Sequence, residues 1–443
     1  MTDYRTISDG IAAEIAAGSL PPGARLPPQR QFAYERGIAV STASRVYAEL
    51  TRRGLVTGEV GRGTFIRMSG APLGDTPPDT DDGLINLEHV FSILPTQAAD
   101  LSASLAALLR PAALQATFPP LRASATPQAR ATAAAFFRRG GWSAEPERIL
   151  FTGAGRQGIA AALMALARPG DRIGVEALTY PVVKGMAARL GLTLVPLAMD
   201  GKGVRPDAIT DAHRAGPLRA LYLQTVLHSP LGHTMDARRR QDVARLLDRH
   251  DIICIEDAVY GFLCDEEPLA ALAPDRVIVV DSLSKRLAPG LSLGVLAVPS
   301  ALVEPLARTI RNGAWTASGL PLAMALQVIE DGLASRIGQA KRADVAIRQA
   351  LAREILTGLD VQGDPRAYHL WLTLPGAWNA ERYAAAAARR GVAVSPASAF
   401  AIDPATAPDG VRLALGSPTI PKLTIALQIL RQLALDGEDS QVE

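Results

Sequence analysis

Cysteine is nearly absent from this chain of 443 residues, which contains only Cys254 and Cys264. Two cysteines are too few for a disulfide framework, so both are predicted to be reduced core residues. Residues 1–20 lack the apolar stretch of a secretory signal peptide, and the sequence has no run of about 18 apolar residues that could span a bilayer. These absences lead us to expect a cytoplasmic protein with no membrane partner.

Lysine is also scarce, with five residues against 41 arginines, and the formal net charge of +2 excludes a polycation. Hydrophobic residues make up 48% of the chain, enough for packed cores. The length exceeds that of one ordinary domain, so we expect two or three. The charge is uneven, because residues 1–68 contain nine Arg and six Asp or Glu, a net charge of +3. A small basic region on a neutral body is compatible with a nucleic-acid-binding domain.

The N-terminal region predicts a compact domain of three helices and a β-hairpin. Isoleucine recurs at every fourth position in the first helix, at Ile7, Ile11 and Ile15. The second and third helices are predicted over residues 29–35 and 41–53, each followed by glycine. Residues 55–66 consist of two short apolar runs around a Gly-rich turn, which predicts a hairpin. This order of elements is that of a winged helix-turn-helix.

The start of the third helix carries the side chains most suited to contact DNA. In a helix-turn-helix, the first residues of the recognition helix face the base edges, and hydroxyl and guanidinium groups bond bases or phosphates. An arginine at the start of the second helix is placed for a phosphate contact, and an arginine between glycines at the hairpin tip suits a wing. The predicted DNA-contacting residues are Arg30, Ser41, Thr42, Ser44, Arg45, Arg62 and Gly63. On spacing alone, a small helical packing domain with ordinary surface arginines remains an alternative.

The rest of the chain predicts a linker and a large α/β domain. Residues 69–83 are Gly, Pro, Asp and Thr with little apolar content, which indicates a flexible linker between domains at 1–68 and 84–443. From about residue 147, short apolar runs alternate with helical stretches, the pattern of a mainly parallel sheet wrapped by helices. Beyond about residue 335, a long helix, several short strands and a last helix predict a smaller α+β subdomain.

Lys285 differs from the other four lysines in its surroundings. It ends the segment Val279–Lys285, a predicted strand that runs into a polar turn. A lysine at a strand end is suited to covalent attachment of a carbonyl cofactor, because active sites in such sheets lie at the carboxyl ends of strands. The other lysines fall in predicted helices or turns, where a solvated lysine is usual. Lys285 is therefore the candidate attachment point for a cofactor such as pyridoxal 5'-phosphate (PLP).

Other side chains that a PLP ring requires lie near predicted strand ends. Asp257 follows a predicted strand and is suited to pair with the ring nitrogen. Tyr260 is placed to bond the ring hydroxyl oxygen, and Tyr180 to stack on the ring face. Each has a structural alternative, since Asp257 could cap a helix and the tyrosines could be core aromatics. Their joint order along one sheet favours the cofactor site.

The phosphate of PLP needs backbone N–H groups at the start of a helix. The Gly-rich stretch 153–158, which includes Gly155 and Arg156, lies between a strand at Phe151 and a helix predicted to begin near Ile159, and this arrangement suits an anion. A tight turn without a ligand is the structural alternative. Further donors to the phosphate are predicted from Ser282, Ser284 and Arg286. No metal site is predicted.

These motifs resemble known families over nearly the whole chain. Residues 4–66, with Leu26–Arg30, Arg53–Val56 and Gly61–Phe65, resemble the GntR-type winged helix. Residues 84–436 resemble a fold-type I, class I aminotransferase domain, and the segments that carry the resemblance are Glu176–Pro181, His228–Gly232, Glu256–Gly261, Ser282–Lys285, Pro289–Gly294 and Gly410–Ala414. The fusion of the two resembles the MocR group of regulators.

This resemblance implies roles for named residues. It implies Lys285 as the lysine that carries PLP, Asp257 on the pyridine nitrogen, Tyr260 on the ring oxygen, Tyr180 on the ring face and Arg412 on a ligand carboxylate. A guanidinium suits that last role because it binds a carboxylate through two parallel hydrogen bonds. The alternative for this arginine is an ordinary surface position at a strand end.

Two positions depart from the aminotransferase pattern. Ser229 stands where the family usually has an asparagine that bonds the ring oxygen, so it is retained as a candidate cofactor contact. Ser292 stands where the family usually has an arginine on the phosphate. The loss of that charge-assisted bond would cost about 2–3 kcal/mol of PLP binding. We expect Arg286 or Arg156 to supply the missing guanidinium.

The sequence predicts a DNA-binding transcriptional regulator whose PLP domain senses PLP, a vitamer or an amino compound. An active aminotransferase that carries a DNA-binding head is the alternative, and a dimerising scaffold that has lost PLP is a third possibility. An enzyme does not need a winged helix, which favours the regulator. The predicted partners are a double-stranded DNA operator, a small-molecule effector and a second copy of the chain, because two linked heads suit two half-sites.

Overall fold

The computed structural model describes residues 4–16, 19–20, 24–52, 55–59, 63–66, 83–376 and 378–437. The chain divides into two compact units, Met1–Thr76 and Pro77–Glu443. Most of the predicted linker, together with Arg62 at the predicted wing tip, lies outside the described residues. None of the helices in the described ranges combines the length and the apolar character needed to cross a bilayer.

The N-terminal unit has the predicted three helices and hairpin. Its elements are α1 (Tyr4–Ala16), β1 (Arg25–Leu26), α2 (Gln29–Glu35), α3 (Val40–Arg52), β2 (Val56–Glu59) and β3 (Gly63–Ile66), and the strands form one sheet in the order β1-β3-β2. Ile7 and Ile11 are buried in a small core with Val46 and Leu50, as the spacing of four predicts. The Tyr47 hydroxyl donates to the Pro27 carbonyl at 2.5 Å and ties α3 to the start of α2.

The C-terminal unit alternates strands and helices. Its strands are β4 (Ile85–Asn86), β5 (Ile149–Thr152), β6 (Arg172–Glu176), β7 (Thr193–Leu197), β8 (Met199–Asp200), β9 (Gly203–Val204), β10 (Leu218–Leu223), β11 (Ile253–Asp257), β12 (Val277–Ser282), β13 (Gly294–Ala297), β14 (Val361–Gln362), β15 (His369–Thr373), β16 (Val392–Ala393), β17 (Ser395–Pro396) and β18 (Gly410–Ala414). Its helices are α4 (Gln97–Leu105), α5 (Pro111–Gln115), α6 (Pro127–Phe136), α7 (Gly155–Leu166), α8 (Pro181–Arg189), α9 (Pro206–Ala215), α10 (Ala237–His250), α11 (Leu283–Arg286), α12 (Val303–Asn312), α13 (Gly319–Glu330), α14 (Leu333–Ile355), α15 (Ala380–Arg389) and α16 (Ile420–Asp436).

A seven-stranded sheet forms the centre of this unit, in the order β5-β13-β12-β11-β10-β6-β7. Strands β12, β11, β10, β6 and β7 run parallel, and β13 is antiparallel to both of its neighbours. The prediction of a mainly parallel sheet wrapped by helices is therefore confirmed. The sequence analysis missed the edge strand β7, because its mixture of exposed and buried positions and its Pro196 hide the apolar signal.

The two faces of the sheet pack against different helices, and this decides which side chains can meet. Val280 and Leu296 pack in one core with Ile159 of α7. Val295, next to Leu296 on β13, packs on the other face in a core with Phe137. Side chains of successive residues at the end of β12 therefore point toward different partners.

A smaller α+β subdomain follows, as predicted. Its four-stranded sheet has the order β14-β15-β18-β17, and β4 pairs with β16 in a separate two-stranded parallel sheet. Helices α14, α15 and α16 cover an apolar core that includes Tyr383, Leu413 and Leu430. Strand β18 carries Arg412 at its centre, paired in register with Trp371 on one side and Ser395 on the other.

Candidate cofactor site and DNA-binding surface

Asp257 is the last residue of β11 and is 4% exposed at the carboxyl end of the sheet. Its carboxylate accepts a hydrogen bond from the Tyr222 hydroxyl at 2.6 Å and another from the Gln224 side-chain amide at 3.2 Å. Burial raises the pKa of Asp257, while these two donors act in the opposite direction. Sequence reasoning missed both partners, although Gln224 directly follows a strand end and the strand-end rule could have found it.

Lys285 lies on the short helix α11, directly after β12, rather than in the irregular turn that the sequence predicts. Its Nζ donates to the Val90 carbonyl at 2.9 Å and lies 5.8 Å from the centroid of the Tyr260 ring. Strands β11 and β12 are parallel neighbours, so the residues that follow them emerge at the same sheet edge. The structure thus brings Lys285, Tyr260 and Asp257 to one place, as the sequence analysis expects.

The predicted phosphate loop is shorter than expected, because α7 begins at Gly155 rather than near Ile159. A Cβ atom at Gly155 would lie 3.1 Å from the Cβ of Ser282, so the close approach of helix and strand favours glycine. The first-turn N–H groups of a helix have no partner within the helix and form an anion site when they face a ligand. The start of this 12-residue helix is therefore brought against the Ser282 end of β12.

Three serines form a hydrogen-bonded row beside this helix start. The hydroxyl of Ser284 lies 2.9 Å from that of Ser282 and 2.6 Å from that of Ser292. Ser292, the position at which the family usually has arginine, is thus joined to the side chains predicted to meet the phosphate. Hydroxyl groups both donate and accept, so such a row can reorient toward an anion.

The structure places the two arginines proposed to replace the missing guanidinium in different environments. Arg156 is exposed in the first turn of α7, with its guanidinium carbon 5.8 Å from the centroid of the Tyr180 ring. Arg286 is buried, pairs with Asp281 at 2.9 Å and packs on the ring of Phe137 at 4.7 Å. The structure therefore favours Arg156 over Arg286 for the phosphate, because the Arg286 guanidinium pairs with Asp281 and packs on Phe137.

Arg412 lies 9% exposed, with its guanidinium over the ring of Phe400. It donates to the Ser229 hydroxyl at 3.0 Å, to the Ser395 hydroxyl at 3.3 Å and to the Glu88 carbonyl. Ser229 was predicted to contact the cofactor, and the structure places its hydroxyl on Arg412, while its N–H donates to Gln224 at 2.9 Å. Gln224 thus links the Asp257 end of the site to the Arg412 end.

Lys341 is a buried cation that the sequence analysis wrongly assigned to a solvated helix surface. It is fully buried, and its Nζ donates to the carbonyls of Lys285 at 3.1 Å and Leu287 at 2.7 Å, which closes the end of α11. Burial lowers its pKa to about 7. Its spacing of four from Ile337 and Val345, both buried on α14, is a signal that could have found it.

Glu176, at the end of β6, is a second buried group with a shifted pKa. One carboxylate oxygen accepts the N–H of Gln224 at 2.8 Å. Burial raises its pKa to about 8, with a smaller contribution from the nearby Asp257. A protonated acid here spares the site a second negative charge beside Asp257.

The described part of the N-terminal unit presents most of its predicted DNA-contacting residues on the surface. Arg30 is exposed at the start of α2, and Ser41, Ser44 and Arg45 are exposed in the first half of α3. Thr42 is half-buried. The backbone of Gly63 begins β3. Ala43 and Val46 of the same helix are buried in the core. One face of α3 therefore packs against the domain, and the opposite face is open to contact DNA.

Comparisons with known proteins agree with this organisation. The family of bacterial regulatory proteins of the gntR type matches residues 3–66, and the aminotransferase class I and II family matches residues 114–430. The uncharacterized HTH-type transcriptional regulator YdeF of Bacillus subtilis is 31% identical over 98% of this chain and 94% of its own length. The chain belongs to the MocR-type transcriptional regulators.

Another relative of this MocR-type chain has a more specific name. The vitamin B6 salvage pathway transcriptional repressor PtsJ of Salmonella typhimurium is 28% identical, over 80% of this chain and 82% of its own length. Among solved structures, an archaeal alanine:glyoxylate aminotransferase superposes with a TM-score of 0.73 at 22% identity, over 80% of this chain and 91% of that protein. That likeness shows that this MocR-type chain has the aminotransferase fold.

Proposed function

We propose that this transcriptional regulator holds PLP on Lys285 and that occupation of the site alters DNA binding by its N-terminal domain. The observation that carries the proposal is the meeting of Lys285, the buried Asp257 and the start of α7 at one edge of one sheet. A buried carboxylate such as Asp257 costs stability unless a partner compensates for its charge, and the basic ring nitrogen of the cofactor would supply that partner.

The donor set fits PLP group by group. Asp257, held by Tyr222 and Gln224, suits the ring nitrogen. The first turn of α7 and the serine row, with Ser282 and Ser284, suit the phosphate, because Gly155 leaves no side chain between helix and strand. When bound, PLP would act as an electron sink, because its ring withdraws electrons from a carbon atom that is joined to it through a nitrogen.

The remaining aromatic and cationic groups would orient the ring. Tyr260 lies beside Lys285, and its hydroxyl suits the ring oxygen. Tyr180, which packs near Arg156, suits one ring face. In this arrangement Arg156 supplies the guanidinium that Ser292 lacks, from the helix start instead of from the segment after the lysine.

The effector class follows from Arg412. Its guanidinium suits a carboxylate, which favours an amino acid or another amino compound with an acid group. The name of the relative PtsJ, a repressor of a vitamin B6 salvage pathway, supports PLP or a vitamer as the signal itself. We further propose a homodimer, because two heads would read two half-sites of one operator, and sedimentation tests this.

The test uses the absorption spectrum of the full-length protein with PLP and its affinity for a duplex selected from random-sequence DNA. Lys285→Ala removes the covalent attachment, and Lys184→Ala, a lysine bonded to carbonyls near residue 400, is the matched control. We expect the visible band of lysine-bound PLP in the wild type and in Lys184→Ala, its loss in Lys285→Ala, and a change of DNA affinity when PLP is added. A wild type without the band would contradict cofactor binding and favour a dimerising scaffold.

An active aminotransferase is the second candidate, and Arg412 is the observation that favours it, since a carboxylate-binding arginine would orient an amino-acid substrate. The measurement is amino transfer from single amino acids to the PLP-loaded protein, followed by the loss of the visible band. Transfer that is as fast in the protein without residues 1–68 would support an enzyme. If the visible spectrum changes only with those ligands that also alter DNA affinity, the result would support the sensor.

A further inference from the structure

Residues 87–92 connect the two ends of the candidate site. They directly follow β4 (Ile85–Asn86). Residues 67–82 lie outside the described residues, and residues 87–92 are the first described residues after them that contact the site. The segment forms neither helix nor strand. The Asn86 side chain caps its start by accepting the N–H groups of Glu88 and His89 at 2.9 and 3.1 Å.

The carbonyls of this segment accept hydrogen bonds from the two cations of the site. Lys285 Nζ donates to the Val90 carbonyl at 2.9 Å, and Arg412 donates to the Glu88 carbonyl. The Ser417 hydroxyl donates to the His89 carbonyl at 2.6 Å. Both cations assigned to ligand binding are therefore bonded to one short stretch of backbone, at positions two residues apart.

Each of these bonds competes with the ligand group assigned to the same cation. A carboxylate that binds a guanidinium through two parallel bonds takes two of its donors, and one of the donor nitrogens of Arg412 is on Glu88. Joining of Lys285 Nζ to the aldehyde carbon of PLP, with loss of the aldehyde oxygen as water, leaves that nitrogen at most one of the three protons of its ammonium. Ligand binding thus weakens the attachment of the segment at one or both points.

We propose that residues 87–92 act as a strap that reports occupation of the site to the DNA-binding domain. With both cations on its carbonyls, the strap is held against the site, and a ligand on Lys285 or Arg412 loosens its middle. Its two ends stay anchored, because Leu87 is buried and bonded to Ala393 and Ala414, and the Ser92 hydroxyl donates to Asp344. The strap is joined through β4, which pairs with β16, to the chain that leads to residues 1–66. Loosening of the strap would therefore act on the DNA-binding heads through a shift of β4. This inference rests on the proposed function for the identity of the ligands, but the attachment itself is a property of the chain.

The experiment measures amide hydrogen exchange of the peptide that covers residues 84–92 in the full-length protein. Lys285→Met and Arg412→Met remove one attachment each without any ligand. The matched controls are Lys184→Met, whose Nζ donates to carbonyls including Ala401, and Arg353→Met, whose guanidinium donates to the Gly363 carbonyl at 2.7 Å. Exchange is then measured in the wild type with and without PLP.

We expect each site variant to speed exchange of this peptide about tenfold, the effect of losing one charge-assisted hydrogen bond, and the controls to leave it unchanged. The site variants are also expected to shift affinity for the selected DNA duplex in the same direction as PLP does. If Arg412→Met does not fold, Arg412→Lys keeps the buried charge and removes the forked donors.

The outcomes separate this inference from the proposed function. Unchanged exchange in both site variants would overturn the strap, whatever PLP does. Faster exchange with unchanged DNA affinity would overturn its role as a reporter. If the site variants show faster exchange and altered DNA affinity, but the wild type shows no visible band with PLP, the strap would be supported and cofactor binding contradicted.

Discussion

The two units of this protein carry their functional side chains in opposite ways. In the N-terminal unit, the predicted DNA contacts Arg30 and Arg45 are exposed, above a small core that contains Val46 and Leu50. In the C-terminal unit, Asp257 and Arg412 are less than 10% exposed and are bonded to other buried groups. Exposed functional residues are expected to change binding alone, whereas buried ones also affect stability and pKa values.

The largest effect is expected from the buried Arg286, which pairs with Asp281. Arg286→Ala removes the cation that pairs with the Asp281 carboxylate, whose side chain is 5% exposed. Breaking a buried pair in this way costs about 3–5 kcal/mol. Urea unfolding of the PLP-free protein measures the change in unfolding free energy. A loss below about 1 kcal/mol would mean that Asp281 and Arg286 are hydrated, and a loss of PLP binding without a loss of stability would return Arg286 to the phosphate.

Arg156, the exposed arginine of the C-terminal unit, is expected to affect binding without affecting stability, like the exposed residues of the N-terminal unit. Arg156→Ala should weaken PLP binding by about 2–3 kcal/mol, because it removes a charge-assisted contact to the phosphate, and leave unfolding free energy unchanged. Titration of the PLP-free protein with PLP measures this. Arg168→Ala, an exposed arginine just beyond the other end of α7, is the control and should have no effect. Equal affinities of the two variants would remove Arg156 from the site.

The contrast between these two arginines shows what the sequence could predict. Strand ends and the family motifs located Asp257, Lys285 and the start of α7, because parallel strands bring their carboxyl ends together. The directions of Arg156 and Arg286 could not be predicted, since one residue of shift in a short helix turns a side chain by about 100° and the sequence did not show that α11 is helical. The partner Tyr222 depends on strand register, which no local pattern specifies, whereas Gln224 follows a strand end that the same rule could have found.

A pH dependence is expected from Glu176. Its raised pKa means that the folded protein holds a proton on this carboxyl between the ordinary pKa and about 8, so its contribution to stability is complete in acid and is lost as pH rises toward 8. Glu176→Gln imitates the protonated acid. Its unfolding free energy relative to wild type should therefore increase from pH 5 to pH 8, by up to about 1.4 kcal/mol per pH unit. Chemical unfolding of both proteins across this range measures the difference, and parallel profiles would show that Glu176 is ionised in the fold.

A similarly small effect on stability is expected in the N-terminal unit. Arg45→Ala removes an exposed side chain from α3 while Val46 and Leu50 stay in the core, so unfolding free energy should change by less than about 0.5 kcal/mol. Affinity for the selected duplex should nevertheless fall by about 1–3 kcal/mol if the guanidinium reads a base.

Arg30→Ala, at the start of α2, should instead weaken all duplexes alike and make binding less dependent on salt, as the loss of a phosphate contact does. Binding titrations with selected and random duplexes at several salt concentrations distinguish these roles. Equal losses on both duplexes for Arg45→Ala would assign it to the phosphate backbone, and a loss of stability comparable to that of Arg286→Ala would contradict the difference between the two units.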